Sequence, residues 1–401
     1  MDPSSLAKRS STLTELRHLK MAKSAHAYVR GNTAAFYAWI KGCDLAKSIP
    51  IGPPIWICGD CHIGNLGPVA DASGEIEIQI RDLDQTVIGN PAFDILRLAL
   101  SLAMAARSSD LPGVTAAVMV ENVIAGYRRG LQGRKPRKEL QVAPVRKVMR
   151  SALNRRWKHL AAERIRDTKP TIPEGQKFWR LPEDEYTQVA DLFSKAGRET
   201  LRSISSHETK KVKVFDAAYW MKGCSSLGRV RYAVLIGVGT KAKRKFRLMD
   251  VKEAVKALAP TVKGGKMPAD NAQRVVAGAM ALSPFLGERM DASTLNGHQV
   301  VIRELRPQDL KFEFEDLSQA EASATALLLA QVVGKAHGRQ MTAAARKTWS
   351  KTLKSSESAR LNAPSWLWNS IVHLVSEHEG AYLSHCRKFA LQEAKRGARS
   401  T

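Results

Sequence analysis

Apolar positions at Leu13, Leu16, Leu19 and Met21 recur at helical spacing, so the first forty residues read as helix. The run Ile55–Cys58 predicts a short strand that enters a polar loop. Ile76, Ile78 and Ile80 alternate with polar neighbours after a turn at 70–74, the pattern of a hairpin. A helix follows over 91–107, with Asp94 placed as its N-cap ahead of Ile95 and Leu96, a structural residue that would hold the helix start and the polar loop before the hairpin. Prolines 136, 144, 170 and 173 break the next helical stretch. From Val212 the period changes to two. Val214–Trp220, Arg231–Ile236, Phe246–Val251 and Gln299–Leu305 predict strands, with a helix over Asn271–Leu282. Helical periodicity returns over 320–335 and 366–391. The sum is an α+β chain in which a β-rich insert interrupts a mainly helical body.

The 401 residues hold 44% hydrophobic and 25% charged residues, which excludes collagen-like, disulfide-scaffold and disordered chains. The apolar patches near 96–106 and 325–333 are too short to span a bilayer. The amino terminus lacks the apolar core of a secretory signal, and five cysteines are spread through the chain. A cytoplasmic protein with free thiols is expected. Charge is the outlier, at +25. The stretch 128–166 holds fourteen Lys and Arg against two acidic residues. Such a run is a solvated helical face or a surface for a polyanion or nucleic acid. Trp157 is its one aromatic, so nucleic acid would be held mainly through phosphates.

The densest chemical signal is Cys58-Gly59-Asp60-Cys61-His62-Ile63-Gly64-Asn65, followed by Arg81-Asp82-Leu83-Asp84. An Asp and an Asn five residues apart in a loop suit phosphoryl transfer. Asp60 would accept the proton of an attacking hydroxyl, and Asn65 would offer a carbonyl oxygen to magnesium. Asp82 supplies a second oxygen ligand from the strand that returns to this loop, a set that magnesium favours. Asp84 reads equally as an outward loop residue and as a further ligand. Cys58, Cys61 and His62 also match a c-type haem attachment pattern, which requires export and a second axial ligand. A zinc site there lacks a second ligand pair. Neither haem nor zinc is expected.

The stretch GDCHIGN…RDLDQTVIGNPAFDILRLAL is similar to the signatures of aminoglycoside phosphotransferases and other protein-kinase-like enzymes. Asn65 lies five after Asp60 and Asp94 twelve after Asp82, as in those signatures; Asn90 is the departure. Most of the chain resembles the bacterial domain-of-unknown-function family 2252, through YVRGNTAAFYAW, GCSSLGRVRYAVLI, DVKEA, NAQRVVAG, VIRELRP and GKAHGR. That likeness implies a protein-kinase-like two-lobed fold that binds ATP with Mg2+. Gly223, Ser225, Ser226 and Gly228 would form a phosphate-covering hairpin, with Ser225 where a third glycine is more usual. Lys252 would be the strand lysine on the phosphates. The helix after it offers Gln273 and Arg274 in place of the usual Glu, leaving Glu253 and Glu288 as substitutes. Backbone near Glu304–Arg306 would meet adenine, and His337 reads as a packed helix residue; Arg30-Gly31-Asn32, ahead of the catalytic loop, is a candidate contact for phosphate or substrate that the expected site does not include.

The motif order is unusual, because Asp60–Asp82 precede Gly228 and Lys252. A single site therefore implies a circular permutation, tolerable where termini meet at the surface. Residues 1–130 and 307–401 would form the helical catalytic lobe, 131–204 a basic addition, and 205–306 the nucleotide lobe. The expected activity is ATP- and Mg-dependent phosphotransfer to an unidentified acceptor. The rivals are a nucleic-acid-binding protein on a degenerate kinase scaffold and a nucleotide-binding pseudoenzyme.

Overall fold

The structure, a computed structural model, describes residues 6–134, 143–155, 171–175, 177–193, 212–222, 227–240, 244–262, 264–310, 317–354 and 362–397. The chain is mixed α+β. Helices α1 (Leu6–Ala22), α2 (Ala25–Gly31) and α3 (Thr33–Gly42) come first. Strands β1 (Ile55–Ile57), β2 (Leu66–Ala70), β3 (Ile76–Ile80) and β4 (Val87–Gly89) follow, then α4 (Ala92–Ser108), α5 (Gly113–Leu131) and α6 (Ala143–Asn154). Next are β5 (Phe178–Arg180), α7 (Glu183–Asp191), β6 (Val212–Trp220), β7 (Arg231–Val238) and β8 (Lys245–Glu253). The chain continues through α8 (Asn271–Leu282), α9 (Pro284–Gly287), β9 (Met290–Leu295) and β10 (His298–Leu305). It closes on α10 (Gln319–Gly338), α11 (Ala343–Thr352) and α12 (Ser365–Gly397). Among the described residues no helix is long and apolar enough to cross a membrane.

Side chains set many of the boundaries. Asn32 caps α3 by accepting the Ala35 N–H, Asp270 caps α8 at Gln273, and Ser318 with Glu321 forms a reciprocal capping box on α10. Asn296 and Gly297 both take positive φ, the turn that joins β9 to β10. One expectation fails at α4. The helix starts at Ala92 after Pro91, so Asp94 lies in its first turn and its carboxylate is spent elsewhere.

Among the described residues there are three sheets, all antiparallel. Two are two-stranded, β1 with β4 and β2 with β3; the third has six strands in the order β5-β6-β7-β8-β10-β9. The six-stranded sheet is larger than the 205–306 insert, because β5 forms its edge beside β6. Alternation gives it two apolar faces. Leu13 of α1, Val189 and Phe193 pack with Tyr219, Tyr232, Val234 and Val251 on one. On the other, Phe178 and Trp220 meet Leu235, Leu248 and Leu305.

Helix α4 is buried along nearly its whole length, and α5 packs beside α10 at very short range. A Cβ at Gly126 would meet Leu327 O at 2.0 Å, one at Gly130 would meet Gln331 O at 2.0 Å, and one at Gly334 would meet Tyr127 O at 2.0 Å. A polar brace joins sheet to hairpin. Asp309 receives Arg289 through both guanidinium nitrogens and Arg303 at 3.0 Å, while Arg81 donates to Asp309 O at 2.8 Å. Burial opposes ionisation of Asp309, but Arg289 and Arg303 hold its carboxyl well below the usual range.

The glycine contacts make a signed prediction. Ala in place of Gly inside a helix ordinarily stabilises by about 1 kcal/mol. Gly130→Ala should instead destabilise by about 1–3 kcal/mol, the cost of overpacking, read as a fall in urea midpoint. A rise in midpoint would show that α5 and α10 are not in this contact.

Candidate active site

The loop after β1 is held from behind by a fully buried network. Asp94 accepts the Cys58 N–H at 2.7 Å and the Gly59 N–H at 2.9 Å. His337 Nε2 lies 3.1 Å from Asp94, its Nδ1 lies 2.9 Å from the Tyr127 hydroxyl, and Trp349 Nε1 donates to that hydroxyl at 3.1 Å. An indole only donates and a carboxylate only accepts. His337 Nε2 therefore carries the proton shared with Asp94, and the Tyr127 hydroxyl accepts from Trp349. Gly59 has φ +75, and a Cβ there would meet Gln85 O at 2.1 Å, so no other residue fits this turn.

Asp60, next in the loop, is 8% exposed. Its Oδ1 accepts from Arg97 Nε at 2.9 Å, and Arg97 Nη2 donates to Val29 O at 2.7 Å. Burial raises the Asp60 pKa above its ordinary value, with Arg97 and the Thr33 hydroxyl opposing. His62 Nε2 lies 3.9 Å from Asp60. Burial first, then the Arg30 charge, holds that imidazole neutral, so the contact is not an ion pair. Asn65 donates its Nδ2 to Asp60 O at 3.0 Å, which leaves its carboxamide oxygen as the atom for a ligand.

Asp82 and Asp84 follow β3 and face Lys252 of β8. Lys252 Nζ contacts Asp84 Oδ2 directly and lies 3.7 Å from Asp82 Oδ1. The Lys252 side chain is 13% exposed and that of Asp82 47%, so the carboxylate opens on solvent while the ammonium is enclosed. Desolvation works against ionising Asp82, but Lys252 and then Arg231 hold it well below the usual range. Asp84 is pushed up, first by burial and then by the Asp82 charge. Among the described residues no three His, Cys, Asp or Glu side chains converge as a metal-binding group. Two carboxylates, an amide oxygen and a ligand's own oxygens would still suit a magnesium ion.

Asp60, Asn65, Asp82 and Asp84 line one cavity of about 60 Å³, together with Arg17, Gly31, Thr33 and Arg229. That is room for an ion and a few oxygen atoms rather than a nucleotide. Gly223, Ser225 and Ser226 lie outside the described residues. Gly228 has φ +95 and stands open beside Arg229. Arg274 takes the helix position where an acid was sought, and donates to Asp84 O at 3.1 Å and Val255 O at 2.8 Å. Neither proposed substitute reaches Lys252. Glu253 accepts the Val230 N–H at 3.0 Å, and Glu288 is exposed. Asp84 is the acid on the lysine.

The adenine expectation at 304–306 loses its partners. The Glu304 N–H donates to Arg289 O at 3.0 Å, Glu304 O accepts from Arg289 at 2.8 Å, and the Arg306 N–H donates to Asp309 at 3.4 Å. The basic run is described only at 128–134 and 143–155. There Arg128 lines a groove of about 430 Å³ with Arg346, Lys347, Lys351 and Lys354.

A family model described as an uncharacterized protein conserved in bacteria, DUF2252, matches residues 9–388. The chain belongs to the DUF2252 family. No curated protein and no solved structure matches it. The matched span of this DUF2252 chain includes every site residue named above.

Sequence reasoning missed Arg97, Arg231 and Asp250; Arg274 was named at its helix position, but not its bond to the Asp84 carbonyl. Arg97 had a readable signal, since a lone arginine inside Ile95-Leu96-Arg97-Leu98-Ala99-Leu100 must find a buried acid. Arg231 grips Asp250 through Nε at 2.9 Å and Nη2 at 2.5 Å, a pairing that needs the strand register to be seen.

The Arg97–Asp60 pair generates a prediction for the DUF2252 chain. Asp60→Asn leaves a buried guanidinium without its counter-charge and should cost about 3–5 kcal/mol in urea unfolding. Adding Arg97→Met should recover much of that loss, a non-additivity seen in a double-mutant cycle. Additive losses would show that the two side chains do not interact.

Proposed function

We propose that this protein is an ATP- and magnesium-dependent phosphotransferase with a circularly permuted, protein-kinase-like two-lobed fold. The observation that carries this reading is the cavity lined by Asp60, Asn65 and Asp82, with Lys252 of the six-stranded sheet 3.7 Å from the Asp82 carboxylate. The order of parts supports it too. A hairpin of β6 and β7 precedes the lysine on β8, a helix follows, and a second hairpin returns beside β8. Kinases use a glycine-rich hairpin, a lysine on the third strand and a helix in that sequence.

Asp60 would take the proton of the acceptor hydroxyl. The acceptor oxygen then forms a bond to the γ-phosphorus as the bond from that phosphorus to the bridging oxygen breaks, releasing ADP. Asn65 and Asp82, with Asp84 beside them, are the residues that would hold magnesium, which neutralises phosphate charge when bound. Lys252 and the N–H groups of the 223–228 hairpin would grip phosphate oxygens. Arg97 and the Asp94 network would keep the loop in place before substrate arrives, so catalysis would rest on positioning and fixed charge.

Mg-ATP should raise the melting temperature, and Asp82→Ala should abolish most of the magnesium-dependent part. In the folded fraction, Asp60→Asn should lower phosphate transfer or background ATP hydrolysis by about two or more orders of magnitude. Because the base must be ionised and its pKa is raised, the rate should fall with acid through a midpoint above 3.8. No thermal response to millimolar Mg-ATP would sink the nucleotide reading. A response without turnover would favour the pseudoenzyme.

A further inference from the structure

We propose that the phosphate acceptor carries an anionic group, phosphate or carboxylate, bound by Arg17 beside Asp60. This rests on the phosphotransferase reading and names the class of acceptor for that site. The charges in the cleft are unevenly satisfied. Asp60 is paired with Arg97, and Asp82 and Asp84 share Lys252. Arg17 and Arg229 line the same cavity as positive charge beyond those pairs.

The two arginines come from different parts of the chain. Arg229 directly follows Gly228 at the end of the hairpin assigned to the nucleotide phosphates. Arg17 comes from α1 and lies with Gly31, Thr33 and Ala34 of the α2–α3 turn. Thr33 lines this cavity together with Asp60. A group held at Arg17 would share the cavity with the proposed base, Asp60.

Arg17 is also under-used. Its Nη2 donates to Gly31 O at 3.3 Å, and its Nε is buried with no hydrogen-bond partner. A guanidinium offers five donors in a planar fork, and leaving one buried and unmet is costly. The fork matches the paired oxygens of a phosphate or carboxylate. A neutral polyol could accept from the Arg17 donors but would leave the arginine's charge unanswered, so the same site favours the anion.

Thermal shift tests this with inorganic phosphate and acetate as probes, each with and without saturating magnesium and a non-hydrolysable ATP analogue. The analogue fills the nucleotide phosphate positions, so a further shift reports a second anion site. At millimolar concentration one of the two anions should raise Tm by about 2 °C or more above the nucleotide-bound baseline. Arg17→Gln should lose that increment and keep the nucleotide shift. Arg17→Lys, which preserves the charge, should keep part of it and guards against a folding defect in the first variant. An increment absent for both anions, or unchanged in Arg17→Gln, overturns the proposal. So does loss of the nucleotide shift in Arg17→Gln, which would put Arg17 on the nucleotide. An Arg17-dependent anion shift with no nucleotide shift would uphold the anion site and remove the phosphotransferase reading alone.

Discussion

Lys252 ties the site together. Its ammonium is the charge that two carboxylates from another part of the chain, Asp82 and Asp84, both require. Two acids against one base leave the pair short of positive charge, which separates their proton affinities and makes the cleft attractive to a divalent cation. The sheet can offer that lysine only if β8 sits at a fixed height over the β2–β3 hairpin. The Asp309 brace to Arg81, Arg289 and Arg303 supplies this constraint, since Arg81 directly precedes Asp82.

Behind the carboxylates, the helical body spends its buried polar groups on one loop. Asp94, His337, Tyr127 and Trp349 come from four helices and converge on two backbone N–H groups beside Asp60. The close approach of α5 and α10 serves the same end, because it brings Tyr127 within hydrogen-bonding distance of His337. Fully satisfied networks of this kind rigidify what they hold. The loop is thereby set in place by the fold itself.

The sequence carried local structure well and long-range pairing poorly. The helix at Asn271–Leu282 and the strands near 214–251 follow from period and turn residues, which act within a few positions. The Asp60–Asn65 spacing and the Asp82 hairpin were legible for the same reason. Asp94 was rightly read as structural and as holding the loop, but not as the N-cap, and its partners Cys58 and Gly59 lie more than thirty residues earlier. The Asn296-Gly297 turn was a local signal left unused. Arg231 with Asp250, and Arg274 on the Asp84 carbonyl, depend on strand register and helix docking that no short window contains.

The central claim is that Asp82, Asn65 and Lys252 form one metal–triphosphate site. Electron paramagnetic resonance of manganese, which accepts the same oxygen ligands as magnesium, tests it directly. Titration with a non-hydrolysable ATP analogue should convert free manganese to a protein-bound signal in wild type, and Asp82→Asn and Lys252→Ala should each weaken that conversion. Manganese binding that ignores the nucleotide, or survives both substitutions unchanged, would contradict the account.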